Sequence, residues 1–200
     1  MEQIRSFIAI ELPDRLKQEL GQLEARLKSG NQSWVKWANP DSIHLTLKFL
    51  GNIAQDRSGE ITRVMEEVAK AVPPFHLEVK DLGAFPNLKR VQVVWAGICG
   101  EVDKLGKLHQ GIESNLERLG FAPETRPFKS HLTLARLRDH ASPDERLRLG
   151  QLISETRFQA GSFEVDNISL MRSKLTRGGA IYSRISLVAL NKSLVPESRS

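Results

Sequence analysis

The 200-residue sequence is short of several residue types that would point to particular chemistries. It has a single cysteine, Cys99, which excludes an internal disulfide and a thiolate zinc site, so Cys99 reads as a small apolar residue within Ala96-Gly97-Ile98-Cys99. No apolar run is long enough to cross a bilayer. The opening residues, Met1-Glu2-Gln3-Ile4-Arg5, carry neither a charged-then-apolar secretory signature nor a small-residue cleavage site, and a cytoplasmic location is the expectation. A phosphate-cradling loop is missing too. Arg177-Gly178-Gly179-Ala180 lacks the lysine and the strand-to-helix setting of a Walker loop and reads as a flexible hairpin.

What is present is enough for a sizeable core. A hydrophobic content of 40% suits one compact unit or two small lobes. The net charge of +5 and pI near 9.5 favour an anionic partner, a weak signal because many soluble proteins are mildly basic.

Ser6 to Leu12 is a β-rich run, and Arg15 to Lys28, with leucines at 16, 20, 23 and 27, has the spacing of an amphipathic helix. Strands are expected at Trp34 to Trp37 and Ser42 to Leu50, with Gly51-Asn52 as a break, then a helix from Asp56 to Val72 that Pro73-Pro74 stops. Further strands are expected at Phe75 to Val79 and Val91 to Ala96. The second half repeats the order: a helix from Val102 to Leu119, a strand from His131 to Arg136 and a helix from Pro143 to Thr156. Strands at Phe163 to Asp166, Ile168 to Arg172 and Ala180 to Leu187 follow, and Asn191 to Ser200 reads as a polar, frayed tail.

Two segments are near-copies. Ile43-His44-Leu45-Thr46-Leu47 and Ser130-His131-Leu132-Thr133-Leu134 are separated by 131 − 44 = 87 residues, too long a period for a solenoid. The pattern suggests two related α+β lobes, each with a sheet inside and helices outside. In an extended strand alternate side chains share a face, so His44 and Thr46 point one way while Leu45 and Leu47 point the other, and the second copy behaves alike. Each tetrapeptide thus anchors itself through two leucines and presents an imidazole beside a hydroxyl.

Two imidazoles can hold one proton between them at neutral pH. That suits in-line displacement at phosphorus, where one ring takes a proton from water and the other protonates the departing oxygen. Thr46 and Thr133 would donate hydrogen bonds to the non-bridging oxygens without adding charge. A lone histidine in an alternating strand is more often structural, and threonine is at home in any strand. Repetition of the whole tetrapeptide favours chemistry.

These residues resemble the RNA 2′,3′-cyclic phosphodiesterases of the two-histidine (2H) phosphoesterase superfamily, whose signature is a pair of His-x-Thr-x motifs. The resemblance runs through Arg5-Ser6-Phe7-Ile8-Ala9-Ile10, His44 to Gly51, Leu82-Gly83-Ala84-Phe85-Pro86, Val94-Trp95-Ala96-Gly97 and Arg126 to Arg136. It departs at Ser130, where relatives often have proline, which loosens the loop's backbone rather than the chemistry. The resemblance implies an α+β fold with bilobal pseudo-twofold symmetry, in which antiparallel-rich sheets line a central cleft and helices lie outside. It implies one domain over residues 1–190, made of two interleaved lobes that each contribute one motif. It also implies hydrolysis of a terminal 2′,3′-cyclic phosphate to a 2′-phosphate, with His44 as proton donor to O3′ and His131 as proton acceptor from water. The two sites are locally alike, so their residues alone do not assign those directions. The implied partner is an RNA or oligonucleotide end bearing a cyclic phosphate, met by a monomer without cofactor, metal or membrane.

Arg136 resembles a family arginine that contacts substrate, but strict strand parity turns it away from His131 unless the strand ends or bulges first. Phe49, at the matching offset from His44, is a candidate for stacking a base, although core packing is the commoner role. Trp34 and Trp37 are either a base platform or core and rim residues. Arg126, Lys129, Arg172, Lys174 and Arg177 are either a basic rim for an RNA backbone or solvated loop charge. His76, His109 and His140 lack a matching neighbourhood and read as surface or helix histidines.

Three other functions compete. The reverse chemistry, with an RNA 5′-hydroxyl in place of water, would form a 2′-5′ linkage. A non-catalytic RNA-binding module would tolerate loss of either histidine. A metal site is disfavoured because neither motif supplies a nearby carboxylate, cysteine or third histidine.

Overall fold

The computed structural model describes residues 2–28, 32–176 and 179–194. Among them the chain runs β1 (Gln3–Glu11), α1 (Asp14–Leu27), β2 (Val35–Trp37), β3 (His44–Ala54), α2 (Ser58–Ala69), β4 (Phe75–Phe85) and β5 (Val93–Gly100). It continues with α3 (Val102–Arg118), β6 (His131–Leu137), α4 (Pro143–Glu155), β7 (Gln159–Val165), β8 (Asn167–Thr176) and β9 (Gly179–Ala189). Short 3-10 turns at Pro40–Ser42 and Gln55–Arg57 lead into β3 and α2.

The strands form an antiparallel sheet in the order β7-β4-β5-β6-β3-β1-β8-β9, with β2 on the side of β6. This order has a centre. β3 and β6 meet through one residue pair, Leu45 opposite Leu132, the matching residues of the two tetrapeptides. Outward from that junction β1, β8 and β9 on one side correspond to β5, β4 and β7 on the other. The successions β1-α1-β3-α2 and β5-α3-β6-α4 repeat one another along the chain, β2 aside. The fold is α+β, two related lobes about a pseudo-twofold axis that passes beside Leu45 and Leu132.

Leu16, Leu20, Leu23 and Leu27 of α1 and Leu105, Leu108, Ile112 and Leu116 of α3 are buried at helical spacing. They share one core with Leu45, Leu47, Leu132 and Leu134. Each fully buried leucine contributes about 1.5–3 kcal/mol. A one-residue slip would turn every side chain of a strand to the other face, so these leucines hold both motif strands in register. A separate small cluster of Phe7, Ala9 and Met171, with Tyr182 against it, occupies the opposite face.

Gly51-Asn52 does not end the first motif strand, which runs on to Ala54. Ser6 pairs with Gly51 while Phe7 pairs with Phe49, leaving Leu50 extra, and Gly51 takes a φ of 70° that glycine adopts freely. The expected break is a β-bulge. β4 runs past Val79 to Phe85 because β5 pairs along it to the end, and β7 begins at Gln159, ahead of Phe163. Asn191, expected to open a frayed tail, is tied down. Its backbone N–H donates to the Val72 carbonyl at 3.0 Å and its side-chain amide to the Lys70 carbonyl at 2.8 Å. Residues 195–200 lie outside the described residues, as do Arg177 and Gly178 of the expected hairpin.

Glu24 of α1 is fully buried, its Oε1 without a hydrogen-bond partner and its Oε2 3.3 Å from the Lys28 ammonium. Burial outweighs the lysine and pushes the carboxyl up from 4.5 to about 7. The folded state therefore prefers protonated Glu24, and the stability this gives is complete below pH 4.5 and is lost as pH rises to about 7. At about 1.4 kcal/mol per pH unit over that interval, the ceiling is about 3 kcal/mol. Glu24→Met is expected to raise the unfolding free energy by up to that amount at pH 8 and by much less near pH 4.5. Denaturant unfolding at both pH values measures this, and an equal gain at both would remove the buried-carboxylate account.

Candidate active site

β3 and β6 each open on a histidine. Leu45 and Leu132 are paired and buried, so His44, Thr46, His131 and Thr133 all lie on the opposite face and flank one junction. All four are half-buried.

The rings are held alike. His44 Nδ1 is 2.8 Å from the Ser42 carbonyl and His131 Nδ1 is 2.6 Å from the Lys129 carbonyl. A carbonyl only accepts, so each Nδ1 carries its hydrogen and donates. Each Nε2 is left as the nitrogen that gains or loses a proton. Phe7 stacks on the His44 ring with centroids 4.6 Å apart, and Tyr182 meets the same ring edge-on at 5.1 Å. Phe85 meets His131 edge-on at 5.0 Å.

Burial is the largest influence on both imidazoles and lowers both from 6.5. The bonds to Ser42 and Lys129 oppose it, since a donating Nδ1 favours the charged ring. Then the lobes diverge. Glu11, opposite His44 in the β1–β3 register, raises His44, whereas Arg136 lowers His131. The Glu11 carboxylate accepts from Arg184 at 2.7 and 3.1 Å and from the Ser169 hydroxyl. The Arg184 bond does most to lower Glu11 below the ordinary carboxylate range and keep it ionised.

Arg136 reaches the His131 side through a bulge. Trp95 pairs with Thr133 and Val94 with Ala135, which leaves Leu134 extra. Leu134 and Ala135 are consecutively buried, and Arg136, paired with Val93, emerges on the face of Thr133. β3 does the same after Thr46: Ala9 pairs with Thr46 and Ile8 with Lys48, leaving Leu47 extra. Lys48 is sent inward at 6% exposure and Phe49 outward at 65%, onto the face of His44. Phe49 is therefore not a core residue; its ring lies 6.2 Å from Phe7.

Residues 12–177 match the model of the 2′-5′ RNA ligase superfamily. The chain belongs to that superfamily. An RNA 2′,3′-cyclic phosphodiesterase of Methanothermobacter thermautotrophicus is 31% identical over 188 residues, covering 94% of this chain and 99% of that one. One of Aquifex aeolicus is 29% identical, covering 92% and 95%. Among solved structures, a Thermus thermophilus protein superposes with a TM-score of 0.75 at 25% identity, covering 94% and 98%. The structure of E. coli LigT complexed with 3′-AMP gives 0.74 at 26% identity, covering 94% and 99%.

Other charged residues of this superfamily member are dispersed. Arg172 and Lys174 lie on the face opposite Phe7, because Met171 pairs with Phe7 and Ser173 with Arg5. Arg172 is engaged by Glu2 at 2.8 Å. This pair therefore does not rim the histidines, and Arg177 lies outside the described residues. Lys129 stays close, 5.8 Å from the Phe85 ring, while Arg126 pairs with Glu124. Trp34 and Trp37 pack at the edge of the core. Among the described residues no three of His, Cys, Asp and Glu gather as metal ligands, and no helix is long and apolar enough to cross a membrane.

Glu11, Phe7, Tyr182 and Phe85 were not singled out from sequence. Phe7 and Glu11 share a face of β1 by parity, but Phe7-Ile8-Ala9-Ile10 is apolar on both faces, so the pattern does not say which face meets the histidines. Tyr182 and Phe85 arrive from β9 and β4, far along the chain. Beside His44 a cavity of about 400 Å³ opens between Glu11, Asn39, Ser42, Tyr182 and Arg184.

Proposed function

We propose that this protein hydrolyses a terminal 2′,3′-cyclic phosphate on RNA to a 2′-phosphomonoester by two-histidine acid–base catalysis without a metal. The observation that carries it is the matched pair of rings, each with Nδ1 committed to a backbone carbonyl two residues back and Nε2 free. The relatives' activity gives the substrate class.

Water attacks phosphorus opposite O3′. Nε2 of His131 takes the water proton as the new P–O bond forms, and Nε2–H of His44 protonates O3′ as the P–O3′ bond breaks. The phosphate stays on O2′, and the two rings exchange protons with solvent to reset. The charges nearby support this direction: an anion, Glu11, favours the proton on His44, and a cation, Arg136, disfavours one on His131. Thr46 and Thr133 donate to the non-bridging oxygens, Arg136 offsets their charge, and Phe49 offers a face for a base.

The test is an oligonucleotide ending in a 2′,3′-cyclic phosphate, incubated with chelator present. A 2′-monoester is expected. A 3′-monoester would mean that O2′ departs and the two histidines' roles reverse, and no turnover would remove the reading.

A further inference from the structure

The two histidines are reached by different routes. Ahead of His44, the turn at Pro40–Ser42 closes on itself: Ser42 N–H donates to the Asn39 carbonyl at 2.8 Å and Ile43 N–H to that of Pro40 at 3.1 Å. The Asn39 side chain accepts from Asp41 N–H. Ahead of His131, residues 119–130 form neither helix nor strand, and such a segment is held in place only by its neighbours.

Those neighbours include two residues from the other lobe. Lys48 lies on β3, just past His44, and its Nζ donates to Glu113 Oε2 at 2.6 Å and to the Ala122 carbonyl at 2.7 Å. Glu113, on α3, also accepts from the Glu124 N–H at 3.2 Å. Arg57 donates to the Leu119 carbonyl at 2.9 Å and lies 4.7 Å from the Phe121 ring centre. His109 of α3 stacks on Phe128, centroids 3.9 Å apart and planes 15° from parallel. Its Nε2 is 3.7 Å from Glu113 Oε1, a buried oxygen with no hydrogen-bond partner. Lys129, the next residue after Phe128, supplies the carbonyl that holds His131 Nδ1.

A buried ion pair is weak evidence of a stability device, because removing two charges from water offsets most of their attraction. Lys48 is the residue just after the first tetrapeptide, and its counterpart after the second is Ala135, since 48 + 87 = 135, which is simply buried. Among the described residues the network thus exists on one side only, where the approach to the histidine is long and irregular.

We propose that Lys48, Glu113, His109 and Phe128 are positioning residues for His131: they fix segment 119–130 so that the Lys129 carbonyl orients the ring and aims Nε2 at the water. This rests on His131 being the base. The test replaces the ion pair together, Lys48→Met with Glu113→Leu, because losing one partner alone strands a buried charge. The double variant is expected to fold. Its kcat on the cyclic phosphate should fall about tenfold to a hundredfold, with KM within about twofold of wild type, as misplacement of a reacting group does. In proton NMR the hydrogen-bonded Nδ1–H of His131 should broaden or vanish while that of His44 persists. Phe128→Leu keeps both charges and should shift the same two readings in the same direction, and it decides the matter if the double variant does not fold. Wild-type kcat with both ring signals intact would overturn the proposal, as would equal loss of both signals. The NMR reading does not depend on turnover. If His131→Ala turns over normally, the proposed function fails by itself, separately from the geometry tested here.

Discussion

His44→Ala and His131→Ala are each expected to lower turnover of a 2′,3′-cyclic phosphate at least about a hundredfold, the usual scale of an acid–base contribution. Neither should unfold the chain. Removing a ring forfeits one hydrogen bond to a carbonyl and one or two ring contacts, together about 1–3 kcal/mol, against the 5–15 kcal/mol typical of a whole domain. The leucines that hold the strands point the other way and are untouched. Thr46→Ala and Thr133→Ala should cost less, because each removes one donor to the phosphate and leaves proton transfer in place. Steady-state kinetics on folded variants reads all four. Near-normal turnover by either histidine variant would end the mechanism, and a threonine variant worse than both would reverse the roles.

Activity is also expected to survive exhaustive chelation and to follow a bell-shaped pH profile, the second large effect. One ring must be neutral and the other charged, so kcat/KM rises as the base loses its proton and falls as the acid loses its own. Burial lowers both rings from 6.5, so the bell for the free enzyme should be centred on the acidic side of that value. Glu11→Gln removes the anion that favours protonated His44 and should move the alkaline limb to lower pH. Arg136→Met removes the cation that disfavours protonated His131 and should move the acidic limb to higher pH. Rates against pH with chelator present measure this. Loss of wild-type activity on chelation, with recovery on adding a divalent ion, would replace the two-histidine reading with a metal site.

Read alone, the residues already carried the fold class and set the two motifs apart as a matched pair. Two His-Leu-Thr-Leu segments have the alternation that sends leucines inward and the imidazole and hydroxyl outward, a local property of any half-buried strand. The repeated order of strands and helices pointed to two related lobes, which the single sheet joins at Leu45 and Leu132. Beyond the fourth residue of each motif the alternation misleads. Parity from His44 puts Lys48 on the open face and Phe49 in the core, and parity from His131 puts Ala135 outside and Arg136 behind. The bulges at Leu47 and Leu134 reverse both pairs. A bulge exists only in the pairing between two strands, and the partners, β1 and β5, lie at least 34 residues away along the chain (Leu134 to Gly100), so no single strand's pattern records it. The inequality of the two histidines was invisible for the same reason: Glu11 and Arg136 acquire opposite effects on identical motifs only when the register sets each beside its ring.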